Sequence, residues 1–275
     1  MGTSHDLTLA DGRVLRVHDS GRGEERTVVW FHGTPQTGAL LAPVLAAANA
    51  RGIRVISYGR PGYGGSTTAP GRTIGSAAGD VRELAEALDL EQFAVVGASG
   101  GGSHALACAA LLPERVTEAV VFAPVAPYTE EFDWFAGMAD PTSLRAAQEG
   151  REKRLAHGLT HEFDPESFVA ADWASLEGDW STLGADAGAA GSASPDGEVD
   201  DDVAYVSPWG CDPAEVHMPV LLVQGGADRV IPAAHARHLS GLLPDSALWL
   251  RDSDGHISVL EALPAALDWL LDDDA

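Results

Sequence analysis

The chain has 275 residues, 45% of them hydrophobic and 21% charged, with 41 acidic against 17 basic side chains and a formal net charge of −24. That length suits one large α/β domain or two smaller ones. So acidic a balance leaves no basic face for nucleic-acid phosphates and disfavours anionic membrane surfaces, so neither partner is expected, and the acids read mainly as a solubilising surface.

Residues 1–16 alternate charged and apolar side chains where a secretory signal needs an unbroken apolar core, so a cytoplasmic protein is expected. Residues 7–9 and 14–17, split by Asp11-Gly12, predict a β-hairpin with a two-residue turn. A strand over 27–31 stops at His32-Gly33-Thr34-Pro35, a helix follows over 39–51, and a strand over 53–57 leads into a long turn at 58–66. That turn is Gly-rich but lacks both the Walker lysine and dinucleotide spacing, so it implies no nucleotide cofactor. A helix over 75–88 precedes the apolar strand 93–98, the turn Gly97-Ala98-Ser99-Gly100-Gly101, and an Ala/Leu-rich helix ending at Pro113. After a strand over 116–122 the alternation breaks. Residues 127–217 read as an insertion, and within it 178–202 carries seven carboxylates and no Lys or Arg, with 187–194 loop-like and mobile in composition. Strands over 220–223 and 247–250 and helices over 233–243 and 257–271 restore the pattern. The expected fold is α/β, a mostly parallel sheet flanked by helices. Its core is 1–126 plus 218–275, and 127–217 forms a mainly helical cap at the C-terminal sheet edge, where ligands bind in such folds.

The Gly-x-Ser-x-Gly turn between a strand and a helix is the setting of a nucleophile elbow, with Ser99 at its apex. A serine hydroxyl needs a base to take its proton and a carboxylate to orient that base. Among ten histidines and 41 acids, position selects His256, in the polar loop after the last strand, and Asp228, just after the strand over 220–223. Both fall at the same sheet edge as Ser99. His104 sits in the helix leaving the elbow and reads as packed. Asp252 and Asp254 are too close along the loop to face the imidazole. Cys108 and Cys211 make neither a disulfide framework nor a metal site, and no metal or other cofactor is expected.

With Ser99, Asp228 and His256 in that order, His32-Gly33-Thr34-Pro35 and an Arg-Pro-Gly turn at 60–62, the chain resembles the α/β-hydrolase superfamily over nearly its full length. The likeness is to its capped esterase, haloperoxidase-like and proline-iminopeptidase-like members. The resemblance implies an oxyanion hole made by the N–H groups of Thr34 and Gly100. It also implies cleavage of a carboxylic ester or lactone of a small, mainly apolar, neutral molecule through an acyl-enzyme. A carbon–carbon bond hydrolase of a ketone and a catalytically weak receptor are the alternative readings of the same constellation. The substrate pocket is expected to include His32, Gly33, Trp134, Trp173, Trp180 and Trp209. Phe163, Phe168 and Tyr205 join the aromatics over Ser99, inside an acidic rim that repels anions. Oligomeric state is left open.

Overall fold

The run Phe93–Ala98 forms strand β5, all of whose residues are buried, as a continuous apolar run must be when helices cover both faces of a parallel sheet. The computed structural model describes residues 2–21, 23 and 26–272, so Met1, three residues before the third strand and the last three of the expected core range lie outside the described residues. The other strands are β1 (Thr3–Thr8), β2 (Val14–Asp19), β3 (Arg26–Phe31), β4 (Ile53–Tyr58), β6 (Val116–Phe122), β7 (Val220–Gly225) and β8 (Ser246–Arg251). They form one eight-stranded sheet in the order β1-β2-β4-β3-β5-β6-β7-β8. β1 and β2 are antiparallel to their neighbours and every pairing from β4 to β8 is parallel.

Alternation along the strands divides the core. Val29, Phe31, Val95, Val121 and Leu222 face helices α2 (Ser76–Ala87), α3 (Gly100–Leu111) and α9 (Ala233–Leu242). Val28, Trp30, Val55, Val96 and Leu221 face α1 (Ala42–Asn49) and α10 (Leu263–Leu270). The register pairs Phe31 with Gly97, Ala98 with Phe122, and Phe122 with Val223, so the C-terminal ends of β3, β5, β6 and β7 finish level. Loops leaving those ends therefore meet.

Three local expectations are corrected. The hairpin turn spans residues 9–13 rather than two residues, because Thr8 pairs with Val14 and buried Leu9 turns inward, its N–H bonded to the Arg13 carbonyl. The helix expected over 257–271 is a 3₁₀ turn at Ser258–Ala262 followed by α10, which has Pro264 in its first turn, where the missing N–H does least harm. Residues 187–194 are largely helix, not loop. Between β6 and β7 the chain forms α4 (Thr142–Gln148), α5 (Arg151–Gly158), α6 (Ala170–Glu177), α7 (Ser181–Ala193) and α8 (Asp196–Tyr205). Ala is the strongest helix former, and in α7 it outweighs the intervening Gly. No helix among the described residues is long and apolar enough to cross a membrane.

Candidate active site

Ser99 stands between β5 and α3 with φ 55° and ψ −128°, a sparsely populated conformation for a residue with a side chain, costing about 1–3 kcal/mol. The turn is possible because strand and helix touch across it. A side chain at Gly97 would strike the Gly101 backbone, and one at Gly101 would strike the Phe31 and His32 carbonyls. The Ser99 N–H is tied to the Phe122 carbonyl at 2.7 Å.

His256 and Asp228 arrive from the loops after β8 and β7. Asp228 is buried, and its Oδ1 accepts the N–H groups of Val230 at 2.8 Å and Ile231 at 2.9 Å. Its Oδ2 accepts from Gln224 at 3.3 Å and from His256 Nδ1 at 2.8 Å. With the Nδ1 proton donated to Asp228, His256 presents a lone pair at Nε2, 3.0 Å from Ser99 Oγ. Burial works against a charged ring, but the charge and hydrogen bond of Asp228, with a further contribution from Asp172, outweigh it and hold His256 above the ordinary imidazole range. Of the rival acids, Asp254 pairs with Arg251 and Asp252 is exposed.

The other wall is the loop after β3. Gly33 lies beside Ser99, its N–H held by Gln36 Oε1 at 2.6 Å. His32 is not a free pocket residue, which corrects that expectation: Nδ1 donates to the Gly33 carbonyl at 2.7 Å and Nε2 accepts the Arg60 N–H at 3.0 Å. Burial and then the charge of Arg60 keep its pKa well below the usual imidazole value. Gly100 begins α3, so its N–H belongs to the first helical turn and has no intrahelical acceptor. The Tyr205 hydroxyl packs against it where any side chain at residue 100 would collide.

Behind Thr34 lies a buried charged network that sequence reasoning missed. Thr34 Oγ1 donates to Asp201 at 2.7 Å and, its one proton spent, accepts from Arg60 Nη2 at 2.9 Å and from the Tyr205 hydroxyl at 2.8 Å. Asp201, on α8, also meets Arg60 at 2.7 Å, Arg72 at 2.6 Å and the Tyr63 hydroxyl at 2.9 Å. Burial alone raises its pKa, but the two guanidiniums hold it well below the carboxylate range. Neighbouring His104 is buried as expected and donates to the Gly100 carbonyl at 2.9 Å. Desolvation, reinforced by Arg60, lowers it to about 3, so it is neutral.

Several acids of the segment between β6 and β7 act as ties, while others, Glu162, Glu177 and Asp179 among them, are exposed. Asp186 accepts from the N–H and hydroxyl of Thr37; Asp196 and Asp200 pair with Arg151; Glu198 and Asp202 pair with Arg154; and Asp172 binds the loop that carries His256. The four tryptophans expected in one pocket occupy separate environments, which corrects that expectation too. Trp134 and Trp209 pack into the core on the α2 and α3 side, the Trp134 indole donating to the Ala126 carbonyl at 3.0 Å. Trp180 packs into the α1 and α10 side, and Trp173 meets Phe163 and Phe168 edge to face with 40% of its surface exposed.

A family model described as alpha/beta hydrolase fold matches residues 26–263. A carbamate hydrolase candidate from Caulobacter sp. (strain K31) is 26% identical over 94% of this chain and 94% of its own length. A non-heme chloroperoxidase of Streptomyces lividans is 34% identical over 48% of each chain. Among solved structures, a bromoperoxidase from Bacillus anthracis superposes with a TM-score of 0.77 at 24% identity, covering 98% of this chain and 100% of that one. An enol-lactonase from Burkholderia xenovorans LB400 gives 0.74 at 22% identity, covering 98% and 100%. At those identities, the structural matches speak for the fold.

Proposed function

The chain belongs to the alpha/beta hydrolase fold family, and from that premise we propose that it is a serine hydrolase in which Ser99 is the nucleophile, His256 the base and Asp228 its orienting acid. The observation that supports this most is the unbroken line from Ser99 Oγ through His256 to Asp228, with Ser99 held at positive φ. In the proposed cycle Ser99 Oγ attacks an acyl carbon while its proton passes to His256 Nε2. The N–H groups of Thr34 and Gly100 stabilise the oxyanion, each by about 3 kcal/mol if it behaves as such donors do. His256 then protonates the departing alkoxide, and water, deprotonated by the same ring, releases the acid. The segment between β6 and β7 acts as the cap over this chemistry.

We assign the substrate as a small neutral carboxylic ester or lactone. The support is what surrounds the site: Asp172 and Asp201 are saturated with hydrogen bonds, and Arg60 and Arg72 are paired with Asp201. Among these groups neither a free carboxylate for a substrate ammonium nor a free guanidinium for a substrate carboxylate is left over. A fluorophosphonate probe should label the parent protein at Ser99, and Ser99→Ala should be inert to the probe and to short-chain esters. Labelling of Ser99→Ala at the parent rate would reject the assignment of the nucleophile.

A further inference from the structure

The loop carrying His256 is held by a side chain from the insertion. Asp172 lies in the first turn of α6 and is completely buried. Its own helix fixes it, since the Val169 N–H donates to Oδ2 at 3.0 Å. The rest of the carboxylate faces the core. Oδ1 accepts the N–H of Ile257 at 2.8 Å, the N–H of Ser258 at 2.8 Å and the Ser258 hydroxyl at 2.9 Å, while the His256 N–H lies 3.3 Å from Oδ2. Ser258 Oγ in turn accepts the Gly255 N–H at 2.8 Å. A side chain at Gly255 would collide with the carboxylate, so glycine there makes room for it. These amides open the 3₁₀ turn Ser258–Ala262, and such first-turn N–H groups need an acceptor from outside the helix. Asp172 supplies it from 86 residues away.

We propose that Asp172 is a positioning residue for His256, so that the insertion, and not the core alone, sets where the catalytic base sits. This rests on the serine hydrolase reading for what His256 does, but not for how it is held. The charged groups facing the ring are Asp228, from the loop after β7, and Asp172, from α6. Both favour imidazolium. Removing Asp172's charge must therefore shift the ring's titration to lower pH, while loss of its hydrogen bonds loosens the ring against Ser99.

The test is Asp172→Asn, in which one oxygen becomes an amide nitrogen that cannot accept. The plateau rate of fluorophosphonate labelling and kcat for p-nitrophenyl acetate are expected to fall roughly 10- to 100-fold, the usual cost of a misplaced catalytic group, with KM little changed. The His256 midpoint, followed by NMR on the ring C–H, is expected to move down. A merely structural aspartate would lower Tm and leave both readouts in place, so a folded Asp172→Asn with the parent's midpoint and labelling rate overturns the proposal. If Asp172→Asn does not fold, Ser258→Ala decides: loss of one bond of the set should slow labelling about fivefold, and an unchanged rate overturns the proposal. A parent protein inert to both probe and ester counts against the hydrolase reading instead, whereas the ring titration, which needs no turnover, still reports on Asp172.

Discussion

At His256 two opposing effects decide the pH at which a base is available. Burial disfavours the charged ring, Asp228 and then Asp172 favour it, and the carboxylates win, so the midpoint lies above the ordinary value of about 6.5. On the proposed serine hydrolase reading the neutral ring is the base, so kcat/KM should rise with pH through that elevated midpoint. Asp228→Asn removes the opposing charge, so the midpoint should drop below the parent's, and kcat should fall by about four orders of magnitude through loss of tautomer and orientation. Asp254→Asn, altering only a pairing with Arg251, should leave both near parent values. A crippling Asp254→Asn beside a mild Asp228→Asn would reverse the assignment. The meeting of Ser99, His256 and Asp228 is legible in the sequence because each lies in the turn or loop that leaves a strand and so takes a predictable place at one sheet edge. Asp172 and Asp201 were not: their partners are 86 and 141 residues away, and both sit among many other acids with nothing local to single them out.

At the scale of elements, three insertion helices each lend one carboxylate to a core loop: Asp172 from α6 to the His256 loop, Asp186 from α7 to Thr37, and Asp201 from α8 to Thr34. Asp201 carries the heaviest electrostatic task, because Arg60 and Arg72 are both buried beside it. Asp201→Asn leaves two desolvated guanidiniums without their counter-charge, and breaking a buried pair from one side costs about 3–5 kcal/mol. For a chain of this size that should appear as a fall of roughly 10 °C in Tm. An unchanged Tm would mean that the arginines have adequate partners in the backbone carbonyls alone. The strand and helix order of the core was readable from periodicity, since burial on one or two faces imprints a period on the sequence. The course of the segment between β6 and β7 is not, because α8 is held by ion pairs and α7 by small-residue packing and the Asp186–Thr37 hydrogen bonds, which leave no apolar stripe.

For the molecule as a whole, the charge of −24 acts at a distance even where individual acids are paired. It slows the approach of anions, and salt screens it, over about 10 Å at 0.1 M. Neutral esters should therefore be turned over in preference to size-matched carboxylate-bearing ones, with the gap in kcat/KM narrowing as NaCl is added. A parent enzyme that prefers the anionic member at every ionic strength would overturn this expectation. The buried Arg60–Asp201 pairing also bears on biosynthesis. Its two members are 141 residues apart, so at translation speeds of about 5–20 residues per second Arg60 is incorporated roughly 7–28 s before its counter-ion. Throughout that interval Arg60 lacks the carboxylate that neutralises it in the fold. The wall behind Thr34 is therefore completed only late in synthesis, and until α8 has emerged water must solvate the charge that Asp201 neutralises in the fold.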